Sequence, residues 1–199
     1  QDVLGKILEA SFQKVHYQRG MRWDRTGTFF VRPVRWVVAL VDDRVIDCSF
    51  LGIRAGRVTR GHRVLAPLPF SLEDAQHYRR SLADGFVVVD PLERRTILKN
   101  LIAQTLPQGG VVDPSGYDTI SRMVEYPQVA VGTVPEQYRA VPDEVISAVI
   151  RKLRALPVFA GDGSCTGHFV LVFDGVHGDA VRENYEKVLG DRLEDARFF

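Results

Sequence analysis

Little in this chain points to a membrane, a disulfide framework or a metal. It holds two cysteines, Cys48 and Cys165, neither in a C-x-x-C pair, which is too few for a disulfide scaffold and suits a reducing compartment. The longest apolar run, Trp36-Val-Val-Ala-Leu-Val41, falls far short of the roughly 20 residues that a membrane-crossing helix needs. No secretory signal opens the chain. The first residue is Gln1 and not Met, so the sequence reads as a piece of something longer. No phosphate-binding P-loop, H-E-x-x-H pair or zinc-ligand spacing occurs, and the glycines at 161, 163 and 167 do not make G-x-G-x-x-G. There is no internal repeat and no low-complexity segment. Nor is there a strong excess of one charge: 26 Lys and Arg stand against 25 Asp and Glu, for a net +1.

That balance hides an asymmetry. Residues 1–63 carry about +6 and the remainder about −5, which predicts either a basic face or a lopsided solvated surface. The positive charge peaks in Gly52-Ile-Arg-Ala-Gly-Arg-Val-Thr-Arg-Gly-His-Arg63. Arg54, Arg57, Arg60, His62 and Arg63 cannot all enter an apolar core unpaired. Gly52, Gly56 and Gly61 let the backbone turn or lie close against another surface. The stretch reads either as a solvated turn or as a cationic loop that suits a phosphate-rich partner.

The chain is long enough for one sizeable core. A helix is expected over residues 3–18, with Leu4, Leu8, Phe12 and Val15 on one face, ending at Gly20. A turn follows at Thr26-Gly27. Phe29–Val41 reads as a strand with Pro33 at an edge or bulge, and Asp42-Asp43 turns it into a second strand, Arg44–Phe50. Ser71-Leu-Glu-Asp74 resembles a capping box opening a helix to about Ala83. Phe86–Val89 reads as a short buried strand. Asp90-Pro91-Leu92-Glu93 is a helix start with Asp as N-cap, and that helix carries Leu98, Leu101 and Ile102 inward and stops before Pro107. Further elements are expected as a short helix over 115–124, a strand over 128–134, and a helix from Pro142 with Val145, Ile146, Val149, Ile150 and Leu153 inward. Arg151, Lys152 and Arg154 close that helix and complement its dipole. Strands over 158–160 and 168–173 come next. The last helix starts at Asp179 with Val181, Tyr185, Val188, Leu189 and Ala196 inward. Helices and strands mix without βαβ alternation, so the expected class is α+β, a mixed or antiparallel sheet with flanking helices.

Three places invite a chemical reading. Gly163-Ser-Cys-Thr-Gly167 has the outline of a nucleophile elbow, but a strand and not a helix is expected to follow it, which makes it a hairpin turn. Glu125 precedes a strand, where a carboxylate is either a general base or simply solvated. Arg32, Arg35 and Trp36 share the expected first strand, with Arg32 and Trp36 on one side and Arg35 on the other. Arginine stacked on an indole is structural or part of a nucleic-acid surface.

Taken in order, Met21-Arg-Trp23, Phe30-Val-Arg-Pro-Val-Arg-Trp36, Thr59-Arg-Gly-His-Arg63, Asp90-Pro-Leu-Glu-Arg-Arg95, Val124-Glu-Tyr-Pro127 with Gly132, Val141-Pro-Asp-Glu-Val145 and Arg192-Leu-Glu-Asp-Ala-Arg-Phe-Phe199 resemble the β subunit of the bacterial tetrameric glycyl-tRNA synthetase. The likeness spans about Met21 to Phe199. One departure is Lys152-Leu-Arg-Ala-Leu-Pro157, where that family usually reads H-Q-x-Y-F-P. The resemblance implies an α+β module over 21–178 similar to the B3/B4 domain of the phenylalanyl enzyme's β subunit. A linker helix over 1–20 would precede it, and a helix over 179–199 would lead to a further domain. It implies tRNA(Gly) and the synthetase α subunit as partners, with no membrane and no DNA, in a cytoplasmic heterotetramer. ATP and Mg would act at the α subunit, no cofactor would sit in this chain, and the chain would not be catalytic by itself. The expected RNA contacts are Arg54, Arg57, Arg60, His62, Arg63, Arg32 and Arg35. The alternative is an aminoacyl-tRNA deacylase pocket lined by His62 and Glu125, or a structural spacer for subunit assembly.

Overall fold

Helix formation starts at the first described residue. The structure, a computed structural model, describes residues 2–16, 18–23 and 29–198. The chain divides into two compact units, residues 1–85 and 86–199.

In the first unit, α1 spans Asp2–Gln13 and ends earlier than the expected 3–18. Leu8 packs on the small core of Ile46, Cys48 and Ala55, and the Phe12 ring lies 4.6 Å from that of Phe50. Leu4 and Val15, expected on the same face, are 39% and 49% exposed. The Glu9 carboxylate accepts the Ser49 N–H at 2.7 Å, which ties the helix to the sheet.

The expected long strand over 29–41 is broken, because Pro33 has no N–H to give a ladder. β1 (Met21–Arg22) pairs with β2 (Phe29–Phe30), and the chain is irregular until β3 (Val37–Val38) and β4 (Leu40–Val41). The expected turn at Thr26-Gly27 lies outside the described residues. The Asp42-Asp43 turn is present and joins β4 to β5 (Arg44–Val45). The expected strand over 44–50 is likewise two pieces, β5 and β6 (Ser49–Phe50).

The basic stretch is not a loop. It folds into β7 (Ile53–Gly56) and β8 (Val58–Arg60). β7 pairs antiparallel with β6 and parallel with β3, and β8 pairs with β9 (Pro69–Ser71). Leu51 (φ 51°) and Gly52 (φ 79°) make the tight turn between β6 and β7 with two left-handed residues, as a type I′ hairpin turn requires. Ser71 belongs to β9, so it does not cap a helix. α2 starts later, at Tyr78–Asp84, behind an Asp74 carboxylate that accepts the His77 backbone N–H at 2.8 Å. That bond, and the His77 ring next, hold the Asp74 carboxyl below the usual carboxylate range.

In the second unit, Phe86–Val89 forms no strand. Phe86 takes φ 59°, and Val88 is held instead by its N–H to the Glu125 carbonyl and by Arg94 on its own carbonyl. The Asp90 carboxylate accepts the Leu92 N–H at 2.8 Å and opens α3 (Pro91–Thr105), as its sequence predicts. β10 (Val111–Val112), a 3-10 turn over Pro114–Gly116 and α4 (Tyr117–Ser121) follow. Next come β11 (Pro127–Thr133), a 3-10 turn over Glu136–Tyr138 and α5 (Asp143–Lys152). β12 (Leu156–Phe159), β13 (Cys165–Asp174) and α6 (Gly178–Phe198) complete the chain. The expected hairpin turn is there: Phe159 pairs with Cys165 across the turn at 160–164, and the Ala160 N–H donates to the Ser164 carbonyl.

The sheet order is β10-β12-β13-β11, antiparallel throughout. Alternation along β13 feeds two cores. Phe169 and Leu171 pack with Ile146 and Ile150 of α5 and with Leu189 and Leu193 of α6. Val170 packs with Leu98 and Ile102 of α3, Ile120 of α4, and Leu156 and Val158. Both faces of the sheet are therefore covered by helices. On α6 the buried leucines are Leu189 and Leu193, while Val188, expected inward, is 43% exposed. The fold is α+β, with small mixed and antiparallel sheets and flanking helices, as the sequence predicts.

Candidate nucleic-acid interface

The five basic side chains of 54–63 divide by what they touch. Along β7 and β8 the period is two: Ala55 and Thr59 are buried, while Arg54, Val58 and Arg60 face outward. Arg54 is well exposed, and its Nε lies 3.0 Å from Asp47 Oδ1 in an exposed ion pair. Arg60 is exposed and donates from Nη1 to the Pro67 carbonyl at 3.1 Å.

Arg57 is a clamp. Its Nη1 donates to the carbonyls of Leu72 (3.2 Å) and Glu73 (3.1 Å), and its Nη2 donates to that of Asp43 (2.6 Å). A planar fork with five donors holds three carbonyls from two other chain segments at once. Its half-buried guanidinium is thereby engaged by the chain's own carbonyls.

His62 is 4% exposed. Its Nδ1 accepts the Val64 and Leu65 N–H groups at 3.2 and 3.1 Å, so the ring turns the chain after β8. Its backbone N–H donates to Gly85 at 2.7 Å. Gly61 makes that approach possible: a Cβ there would sit 2.5 Å from the Gly85 carbonyl oxygen and 3.0 Å from Ala66 Cβ. Stacking on a base needs an open ring face, and this ring has none. Arg63, next in the chain, is exposed, and no hydrogen bond or ion pair holds its guanidinium among the described residues.

Arg32 and Arg35 are exposed in the irregular segment between β2 and β3. No strand spans them, so the expected period-two placement of Arg32 beside Trp36 has no basis. Trp36 is 43% exposed. Trp23 donates its indole N–H to the Phe30 carbonyl at 2.8 Å.

Glu125 lies in the second unit. Its side chain is exposed, and its N–H donates to both carboxylate oxygens of Asp174 at 3.0 and 2.8 Å. Asp174 also accepts the Tyr126 N–H at 2.7 Å, so one carboxylate fixes this corner. Sequence reading missed Asp174, because 48 residues separate it from Tyr126 and no local spacing marks the pair. Among the described residues no group of three or more His, Cys, Asp or Glu could hold a metal ion, and no helix is long and apolar enough to cross a membrane.

A sequence profile described as the glycyl-tRNA synthetase beta subunit matches residues 1–199. The chain is 34% identical over 209 residues to the glycine–tRNA ligase beta subunit of Synechocystis sp., covering 100% of this chain and 29% of that protein. Beta subunits from Halothermothrix orenii and Desulfitobacterium hafniense are each 34% identical, with 99% of this chain and 29% of theirs covered. The chain thus spans about three-tenths of the length of the curated relatives it matches. A profile that covers every residue, with relatives matched end to end at this identity, leaves one assignment: the chain belongs to the glycyl-tRNA synthetase beta subunit family.

Proposed function

We propose that this chain is a tRNA-engaging module of a glycine–tRNA ligase beta subunit. In that role it supports the ATP-dependent attachment of glycine to tRNA(Gly) in the cytoplasm, catalysed together with an α subunit that holds ATP and Mg. The observation that carries this reading is the unengaged, exposed guanidinium of Arg63, in the same stretch of chain as the outward-facing Arg54 and Arg60 and in a half of the chain that holds the positive charge. Arginine forks bind phosphate by paired donors. Arg32 and Arg35 extend the set as further exposed cations. Arg57 and His62 are better read as the frame that holds it, because their polar atoms are spent on carbonyls and backbone N–H groups.

The test is tRNA binding by the 199-residue chain across a salt series. Affinity is expected to fall with a log–log slope of about −0.7 to −0.9 per neutralised phosphate. A salt-independent signal, or none, would favour the structural-spacer reading. Deacylation of alanyl- and seryl-tRNA(Gly) by the same chain is expected to stay at the uncatalysed rate. Glycine is the smallest amino acid, so a size sieve cannot admit alanine and exclude glycine. Hydrolysis that vanishes in Glu125→Ala would instead establish the deacylase.

A further inference from the structure

In the second unit, a cleft of about 200 Å³ opens where the end of α5 meets β12 and the turn before α4. Its floor is apolar and rigid, because Ile120 and Leu156 belong to the core. Gly116 sets its depth: a Cβ there would lie 2.6 Å from Leu156 Cδ2. Its lining also includes polar residues: the hydroxyl residues Ser115 and Thr119, the acidic Asp113, and the basic Arg151 and Arg154. None of these residues belongs to the basic stretch on β7 and β8.

Arg154 is the unusual member. α5 closes with the Arg154 N–H on the Arg151 carbonyl (3.0 Å) and the Ala155 N–H on the Ile150 carbonyl (3.1 Å). The residue between these bonds must be left-handed, and glycine usually fills it. Here it is arginine, at φ 64°. Capping does not explain the choice. Backbone N–H groups already occupy the carbonyls of Val149, Ile150 and Arg151, and Arg151 and Lys152 already complement the dipole in the last turn. The Arg154 side chain is exposed and has no ion pair or hydrogen bond among the described residues. Arg151, by contrast, is steadied 3.8 Å from Asp113, with its Cζ 5.8 Å from the centre of the Phe159 ring.

Asp113 accepts the Ser115 N–H at 2.9 Å. Hydrogen bonds from Ser115, and then the charge of Arg151, hold its carboxyl below the usual carboxylate range. The cleft therefore presents two cations and one carboxylate acceptor over an apolar floor. Its two cations suit a phosphate oxyanion, and the carboxylate suits a hydroxyl donor on the same ligand.

We propose that this cleft binds a ribose phosphate unit. The phosphate lies against Arg154, with Arg151 behind it. A ribose hydroxyl donates to Asp113, which is how a protein tells ribose from deoxyribose. The C–H face of the sugar rests on Ile120 and Leu156. The unit is supplied either by a free nucleotide or by an RNA strand.

The experiment titrates the 199-residue chain with ribose 5-phosphate, 2-deoxyribose 5-phosphate, inorganic phosphate, AMP and a short single-stranded RNA. Calorimetry gives the affinity, and amide chemical shifts of Ser115, Thr119 and Arg154 give the location. Ribose 5-phosphate is expected to bind there more tightly than its deoxy form or inorganic phosphate. Arg154→Gly should weaken it about tenfold or more, as loss of a charged phosphate contact does. The same variant should melt no lower than the parent, since glycine fits the left-handed position. Asp113→Asn, which can keep the turn to Ser115, should erase the preference for ribose. RNA binding at these amides well above AMP assigns the unit to a strand, and AMP binding as tightly as RNA assigns it to a free nucleotide. No shift at these amides up to roughly 10 mM ligand overturns the proposal. So does unchanged affinity in Arg154→Gly, or equal binding of inorganic phosphate.

Discussion

Phe169→Ala is expected to cost about 3–5 kcal/mol, the usual range for emptying a buried phenylalanine site. A domain's whole stability is of order 5–15 kcal/mol, so this one change should bring the second unit near its unfolding threshold. Phe169 is 1% exposed on β13, directly across from Gly132 on β11. Its ring fills the space a side chain at 132 would need: a Cβ there would overlap the ring, with Cε2 only 2.6 Å away. The contact should fail from the other side too, with Gly132→Ala costing about 1–3 kcal/mol through overpacking. The ring cannot swing aside, because it is packed between the sheet and the α5–α6 layer. Urea denaturation followed by circular dichroism measures both changes. Phe169→Leu should make Gly132→Ala cheaper, and a neutral Gly132→Ala in the unaltered chain would show that the ring has room.

The second large effect separates two arginines six positions apart. Arg57→Ala is expected to destabilise the first unit by about 2–4 kcal/mol, since hydrogen bonds to charged groups contribute roughly 1.5–3 kcal/mol each and some of the freed carbonyls can reach water. Arg57→Lys should recover little, because an ammonium cannot reproduce the planar fork that spans Asp43, Leu72 and Glu73. Arg63→Ala should leave the melting temperature nearly unchanged, within the roughly 0.5 kcal/mol typical of surface changes. It should nonetheless flatten the salt dependence of tRNA binding by about 0.7–0.9 in log–log slope. Thermal melts and salt titrations of both variants settle the matter. A destabilised Arg63→Ala, or a fully stable Arg57→Ala, would reverse the division of labour.

What the sequence discloses is what neighbours in the chain decide. Asp90-Pro91-Leu92-Glu93 reads as a helix start because the N-cap, the first-turn proline and the recipient N–H groups lie within four residues, and the structure has those bonds. The turn at 160–165 is legible for the same reason. Arg57 is different. Its charge is visible, but the carbonyls that consume it come from strands and turns 14 to 16 residues away. His62 likewise looks like a polar ring in a basic loop until Gly85 closes over its backbone. The glycines of 52–63 also hide their purposes. Gly52 supplies a left-handed turn and Gly61 a close backbone approach, yet composition treats them alike. Arg154 was legible only as part of a basic helix end, since its φ value depends on how the α5 closure meets β12.

The pairing of β11 with β13 also sets a timetable. Thr133 ends the first strand and its partner begins only at Cys165. At synthesis rates of roughly 5–20 residues per second, β11 would wait about two to six seconds on the ribosome before a partner exists. During that interval Val129 and Val131 have a hydrogen-bonding edge and no ladder. The β12–β13 hairpin, whose strands are close in sequence, should close at once and then present a finished template to the waiting strand. Nascent chains in which residues up to 164, or up to 174, have emerged from the ribosome should therefore differ sharply in protease resistance, because β11 gains its ladder only once β13 is present.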